Sequence, residues 1–165
     1  MDFQGKLADL KEKLRVESLV KSADDLKVGT IIYMEMDKND GLVLKKGFPT
    51  RRKYVVVAGR KSDRKEVCVV LINSDADYSN AQDWKDEQYL LLRRNYPDIL
   101  DDDSWLDCTD PKILTIRKIK AKKAEVRGRL TADDLMAMMT KLKNSDFIDL
   151  HTKRVFGISA YDAED

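Results

Sequence analysis

Runs of hydrophobic residues separated by polar residues predict a pair of β-strands near the middle of the chain. Apolar side chains extend from Tyr54 to Ala58 and from Val67 to Ile72, with GRKSDRKE between them. β-Branched runs bounded by Gly, Ser and Asp are typical of a hairpin. The same reasoning predicts further strands at Thr30–Met36, Gln88–Leu92, Ser104–Cys108 and Ile113–Ile116.

A different spacing predicts helices near the two ends. Phe3, Leu7, Leu10 and Leu14 follow one another at intervals of four, three and four residues, which places them on one helical face. Near the other end, Thr131 followed three residues later by Asp134 resembles the start of a capped helix. The residues after this cap form an apolar face that we expect to pack in the core: Leu135, Met138, Met139 and Leu142.

The order of these elements predicts the fold class. Closely spaced strands followed by one late helix indicate a mainly β, α+β protein. We expect a small SH3-like antiparallel barrel with an N-terminal amphipathic helix and a late C-terminal helix. The chain has 165 residues, enough for one domain with appendages. The predicted parts are a helical extension (1–26), the barrel with its late helix (27–145) and a short C-terminal tail (146–165).

Two segments have less regular patterns. The polar and acidic stretch 75–87 shows no clear periodicity and is predicted to be a long loop or a short helix. Within the tail, the short apolar groups 147–150 and 155–158 are predicted to form a terminal pair of strands.

The charge is balanced overall but segregated along the chain. Hydrophobic residues make up 42% and charged residues 37%, with a formal net charge of +1. Such a chain can build a core but has no global basic field. Segments 45–65 and 112–129 are strongly basic, whereas 75–110 is acidic. Any binding of nucleic acid must therefore depend on local basic surfaces.

Few residues suit metal, cofactor or nucleophilic chemistry. Cys68 and Cys108 lack metal-ligand spacing, and His151 has no second histidine with which to form a site. The glycines match no nucleotide-binding fingerprint. No segment resembles a signal peptide or a membrane span. We therefore expect a cytoplasmic protein with no metal, no cofactor and no membrane association.

The basic hairpin leaves two interpretations open. It is either the solvated rim of an ordinary barrel or a surface that binds phosphate. RNA carries its own nucleophile, the 2′-hydroxyl, so a protein that cleaves it must position phosphate, transfer protons and stabilise negative charge. Arginine, carboxylate and hydroxyl side chains can supply these functions without histidine.

The order of several short segments resembles the PemK/MazF-like family, the SH3-barrel toxins of bacterial toxin–antitoxin pairs. A glycine precedes the first strand, an arginine leads into a valine-rich strand, and a small polar residue ends the next strand. The closest match is GRLTADDL, which begins the late helix. The matching segments are Gly29–Tyr33, Arg52–Val57, Val69–Ser74, Ser104–Cys108 and Gly128–Leu135.

The resemblance implies a set of site residues. Arg52 corresponds to the arginine that acts at the cleaved phosphate, Asn73 or Ser74 to the hydroxyl residue, and Asp110 is a candidate for proton transfer. Basic residues of the hairpin would bind RNA: Arg51, Lys53, Arg60, Lys61, Arg64 and Lys65. The chain departs from the family pattern where Lys53 replaces proline, Asn73 replaces threonine and Leu114 replaces arginine.

The resemblance also implies partners and leaves several functions open. It implies a homodimer, single-stranded RNA as substrate and an antitoxin whose acidic, disordered tail covers the basic groove. The protein is then a metal-independent endoribonuclease, a non-catalytic module that binds nucleic acid or protein, or an adaptor. The apolar stripe of the N-terminal helix packs on the barrel, on another copy or on a different protein.

Overall fold

A curled antiparallel sheet forms the centre of the protein. The computed structural model describes residues 3–42, 44, 46–74 and 85–162. Along the sheet the strands lie in the order β4-β5-β3-β2-β1-β7, and β6 also pairs with β3. The strands are β1 (Thr30–Asp37), β2 (Thr50–Arg60), β3 (Glu66–Asn73), β4 (Gln88–Leu91), β5 (Ser104–Asp107), β6 (Lys112–Thr115) and β7 (Glu125–Arg129). The α-helices are α1 (Phe3–Ser18), α2 (Ile116–Ala121), α3 (Ala132–Asn144) and α4 (Leu150–Val155).

The central hairpin has a hydrophobic core on each face. β2 and β3 pair antiparallel, with Val55 opposite Leu71 and Val56 opposite Val70. Because side chains alternate along a strand, Val56 and Val70 point to one face, where they join the core that contains α3. Val55 and Val57 point to the other face, where they join a second core that includes Ile119 of α2.

The predicted α+β class and small antiparallel barrel are confirmed as a half-barrel with an N-terminal helix and later helices. The six strands predicted before the late helix all exist, and the hairpin lies where the sequence places it. The sequence pattern did not reveal β7 or α2, both of which fall within the second basic segment. Most of the predicted acidic loop lies outside the described residues, which exclude 75–84.

The start of α3 is fixed both by a local cap and by a buried network. The Thr131 side chain accepts a hydrogen bond from the Asp134 backbone N–H (3.2 Å), which confirms the predicted cap. The Asp134 carboxylate does not reach back to the cap; it accepts bonds from the hydroxyls of Tyr89 (2.7 Å) and Tyr96 (2.5 Å). These two bonds join α3 to β4 and to the chain that follows it.

The predicted terminal strand pair is wrong, because this segment contains α4. Asp149 caps the helix by accepting a hydrogen bond from the Thr152 N–H (2.7 Å). On either side of α4, Ile148, Phe156 and Ile158 are buried in the core that also contains α3. The described part of the predicted tail is therefore packed against the sheet.

Helix α1 is attached to the sheet near its C-terminal end. Ser18 Oγ donates to Glu125 Oε1 (3.4 Å), and Val20 N–H donates to the carbonyl of Ala124 (2.9 Å). None of the residues of α1 is buried. Of the helices in the described part of the chain, none is both long enough and apolar enough to cross a membrane.

Candidate nucleic-acid interface

A pocket lined by both charged and apolar side chains opens where the β2–β3 hairpin begins and ends. Its volume is about 360 Å³, and its polar lining comes from four elements and the turns next to them. Antiparallel pairing brings the first residues of β2 beside the last residues of β3, and β5 and β6 both pair with β3. The charged and polar residues that line the pocket are Arg51, Lys53, Asn73, Ser74, Asp107, Asp110 and Lys112.

Lys53 is the most perturbed group in the pocket. Its residue is only 6% exposed, and its Nζ donates to Asn73 Oδ1 at 2.6 Å. Burial, followed by repulsion from Arg51, lowers the pKa of Lys53 to about 8, although Asp107 acts in the opposite direction. An amine with this pKa populates both its charged and its neutral form near neutral pH, so it can accept or donate a proton.

The two pocket carboxylates have different surroundings. Asp107 is buried, and its Oδ1 accepts bonds from Gln88 Nε2 (2.9 Å) and from both the N–H and the hydroxyl of Thr109. Asp110 is exposed and forms an ion pair with Lys112. Asp107 is therefore held in one position, whereas Asp110 can respond to a ligand.

Gly41 allows Lys112 to lie across one wall of the pocket. Gly41 has a φ of +85°, and a Cβ built on it would approach Lys112 Nζ to 3.1 Å. A glycine meets both requirements, since it tolerates the left-handed conformation and leaves room for the lysine. The turn Lys38–Asp40, which Gly41 ends, thus also shapes the site.

Arg52 lies on the opposite face of β2 from Lys53. Its guanidinium lies 4.6 Å from the centre of the Tyr33 ring, and its Nη2 is 3.5 Å from Glu125 Oε2. Arg127 contacts the same ring and the same carboxylate, and Tyr33 stacks on Tyr54 with ring centres 4.4 Å apart. Of the predicted catalytic residues, the structure brings Asn73, Ser74 and Asp110 together in the pocket and places Arg52 elsewhere.

The predicted RNA-binding residues divide into two groups. Arg51 and Lys53 line the pocket, while the other four lie around the far end of the hairpin. Arg60 is seven residues along β2 from Lys53, a distance of about 23 Å at about 3.3 Å per residue. There Arg60 donates to the carbonyl of Ala23 (2.9 Å), Arg64 pairs with Asp24, and Lys61 pairs with Glu66. Lys65 is exposed at the turn. Much of this basic charge therefore connects the hairpin to the turn that follows α1.

The cysteines and the histidine lie outside the pocket. Cys68 and Cys108 are buried, and burial raises the pKa of each thiol to about 12, so neither is a ready nucleophile. His151 is exposed on α4. Among the described residues no group of three or more His, Cys, Asp or Glu side chains is arranged to hold a metal ion.

Sequence reasoning did not identify Asp107 and Lys112 as pocket residues, and it placed Arg52 and Lys53 in the same site. Asp107 and Lys112 enter the pocket through strand pairing that no local pattern reveals. The alternation along β2 did contain a usable signal, because it places Arg52 and Lys53 on opposite faces. No protein-family model matches the chain, and a search of curated proteins finds no significant match.

Proposed function

We propose that the pocket binds the backbone of single-stranded RNA and cleaves it through attack by the 2′-hydroxyl, without a metal ion. The observation that carries this proposal is Lys53, a buried amine with a pKa of about 8 that lies between Asn73 and Arg51. The surrounding cations Arg51 and Lys112 suit a phosphate group. The pocket volume of about 360 Å³ suits a ligand of roughly nucleotide size.

In the proposed reaction, neutral Lys53 accepts the proton of the 2′-hydroxyl as its oxygen attacks the adjacent phosphorus. Arg51 stabilises the additional negative charge, and Asn73 orients the phosphate. The bond from phosphorus to the 5′-oxygen breaks, and Lys112 donates a proton to this leaving group. The products are a 2′,3′-cyclic phosphate and a 5′-hydroxyl, so the atoms and protons balance. Membership of the PemK/MazF-like toxins, with a homodimer and an acidic antitoxin, belongs to the same proposal.

A cleavage assay with two neighbouring substitutions tests this assignment. A long single-stranded RNA of mixed sequence is incubated in EDTA with the wild-type protein, Lys53→Met or Arg52→Met. We expect wild type and Arg52→Met to give fragments ending in a cyclic phosphate, and Lys53→Met to lose at least about 100-fold in rate, as for a general base. Loss of cleavage in Arg52→Met with cleavage retained in Lys53→Met would place the chemistry on the opposite face.

A second candidate function is RNA binding without cleavage. The separation of Arg52 from Asn73 and the ion pair between Asp110 and Lys112 favour it, because both differ from the catalytic set that the sequence predicts. In this case RNA stays intact in the assay above but shifts in a gel. The affinity then falls steeply with salt, since cations that contact phosphate release counterions.

A further inference from the structure

Helix α1 presents a narrow apolar stripe to solvent. The exposed fractions are 79% for Phe3, 39% for Leu7, 52% for Leu10 and 55% for Leu14. The helix contacts the domain near Ser18, so the stripe has no cover among the described residues. Leaving four large apolar side chains in water gives up the stabilisation that burial would provide.

The geometry of the stripe is that of a coiled-coil seam. Its spacing of four, three and four residues corresponds to alternating d and a positions of a heptad repeat. Such a seam is narrower than the apolar face of a helix that lies on a globular core or at a membrane surface. The stripe therefore suits one partner helix rather than a broad apolar surface.

The residues that flank this seam are mainly lysines. At 100° per residue, Lys6 and Lys13 lie beside the stripe on one side and Lys11 lies beside it on the other. These are e and g positions, whose charges select the partner of a coiled coil. A second copy of α1 would bring lysine next to lysine in either orientation, which disfavours self-pairing.

The remaining charges favour a protein over an anionic membrane. Asp9 and Glu12 lie away from the stripe, where Glu12 pairs with Arg15 at 2.6 Å, and Glu17 follows the seam. With these three acids the helix carries little net positive charge, whereas helices that bind anionic lipids are rich in Lys and Arg across the polar face. Lysine at the seam edges with acids elsewhere is the pattern expected for an acidic partner helix.

We infer that α1 is a docking site for an acidic amphipathic helix of a partner protein, which places Leu or similar residues in the seam and Glu or Asp opposite the flanking lysines. This interface is separate from the pocket, since it depends on different residues and a different element.

Two designed peptides provide the test. Each has about 21 residues, three heptads with leucine at a and d, and carries either glutamate or lysine at e and g. Fluorescence anisotropy measures binding of each labelled peptide to the full chain. We expect the glutamate peptide to bind at least about tenfold more tightly at low salt, because several flanking pairs change from repulsion to attraction.

Two sets of variants make the test specific. The charge reversal Lys6→Glu/Lys11→Glu/Lys13→Glu should reverse the peptide preference, and Leu7→Ser/Leu10→Ser should remove binding of both peptides. Neither set touches a buried residue, so circular dichroism should show an intact fold. The Lys53→Met variant should keep peptide binding, which separates this inference from the RNA proposal.

Three outcomes would overturn the inference. Equal or absent binding of the two peptides would show that the lysines do not select an acidic helix. Co-sedimentation with phosphatidylserine vesicles in place of peptide binding would assign the stripe to a membrane. Concentration-dependent dimerisation that Leu7→Ser/Leu10→Ser abolishes, without peptide binding, would assign it to a second copy.

Discussion

Replacing Lys53 with methionine should stabilise the folded protein at neutral pH even though it removes a residue of the candidate site. Below pH 8 the folded and unfolded states both hold the Lys53 proton, and the folded state carries the full cost of burying an ammonium group. Between pH 8 and 10.5 the unfolded chain binds more protons than the folded one, so wild-type stability contributed by this group rises with pH. The methionine variant lacks this rise.

The pKa shift sets the size of the effect. A decrease in the pKa from 10.5 to about 8 corresponds to at most about 3.5 kcal/mol, at about 1.4 kcal/mol per pKa unit. The methionine variant also lacks the hydrogen bond to Asn73 Oδ1, and this loss offsets about 1 kcal/mol of the gain in stability. The pocket is open to solvent, which reduces the gain further. We therefore expect Lys53→Met to be more stable than wild type by about 1–2 kcal/mol at pH 7 and less stable by up to about 1 kcal/mol near pH 10.5, where only the loss of the hydrogen bond remains.

Urea unfolding of both proteins at several pH values and constant ionic strength measures this difference. Cys68 and Cys108 titrate in this range in the unfolded chain, because burial raises the pKa of each thiol in the folded protein, but they do so in both proteins and cancel in the difference. Lys27→Met, at an exposed position, is the matched control and should change stability by less than about 0.5 kcal/mol. A variant that is less stable than wild type at pH 7, or a difference that does not shrink as the pH rises, would refute the assigned cost.

Two further sets of substitutions and one deletion test the packing of the fold. Gly59→Ala should cost more than about 2 kcal/mol in urea unfolding, because its Cβ would lie 2.2 Å from the carbonyl oxygen of Phe156; a cost near zero would contradict that contact. Tyr96→Phe should cost about 1–3 kcal/mol, since it removes the hydrogen-bond donor of Asp134 Oδ2 and the acceptor of the Thr131 N–H, and thermal unfolding should show a smaller loss for Tyr89→Phe. Deleting residues 1–14 should change the free energy of unfolding by less than about 1 kcal/mol, because α1 buries no residue; a larger loss would show that α1 supports the fold.

The sequence predicted those elements whose apolar pattern repeats locally. The valine-rich hairpin and the capped helix α3 each carry their own signal, so their positions follow from β-propensity and from capping. Strand β7 carries none, because Glu125–Arg129 contains a single large apolar residue and is defined by pairing with β1. The prediction for the C-terminal segment is wrong for a related reason. The spacing of Ile148, Phe156 and Ile158 fits a core that strands distant in sequence build, so it carries no local strand or helix pattern.

The sequence predicted many of the residues of the candidate site but not how they are arranged in space. Asn73, Ser74, Arg51 and Lys53 were all named as site residues, and the structure brings them together. The resemblance to the PemK/MazF-like family assigned the phosphate to Arg52, whereas the alternation of side chains along β2 places Arg52 and Lys53 on opposite faces, and only Lys53 lines the pocket. No rule of local sequence could have added Lys112, since only the pairing of β6 with β3 places it there.

The close contact between Gly59 and Phe156 has a consequence for how the protein is made. A chain that emerges from the ribosome presents β1, β2 and β3 long before Phe156 is available to cover the glycine. Contacts between residues so far apart in sequence also form slowly, because the intervening chain must first be ordered. Until synthesis passes Ile158, one face of the sheet stays partly uncovered. The nascent protein therefore depends on timely completion, or on a chaperone, to avoid pairing this face with other chains.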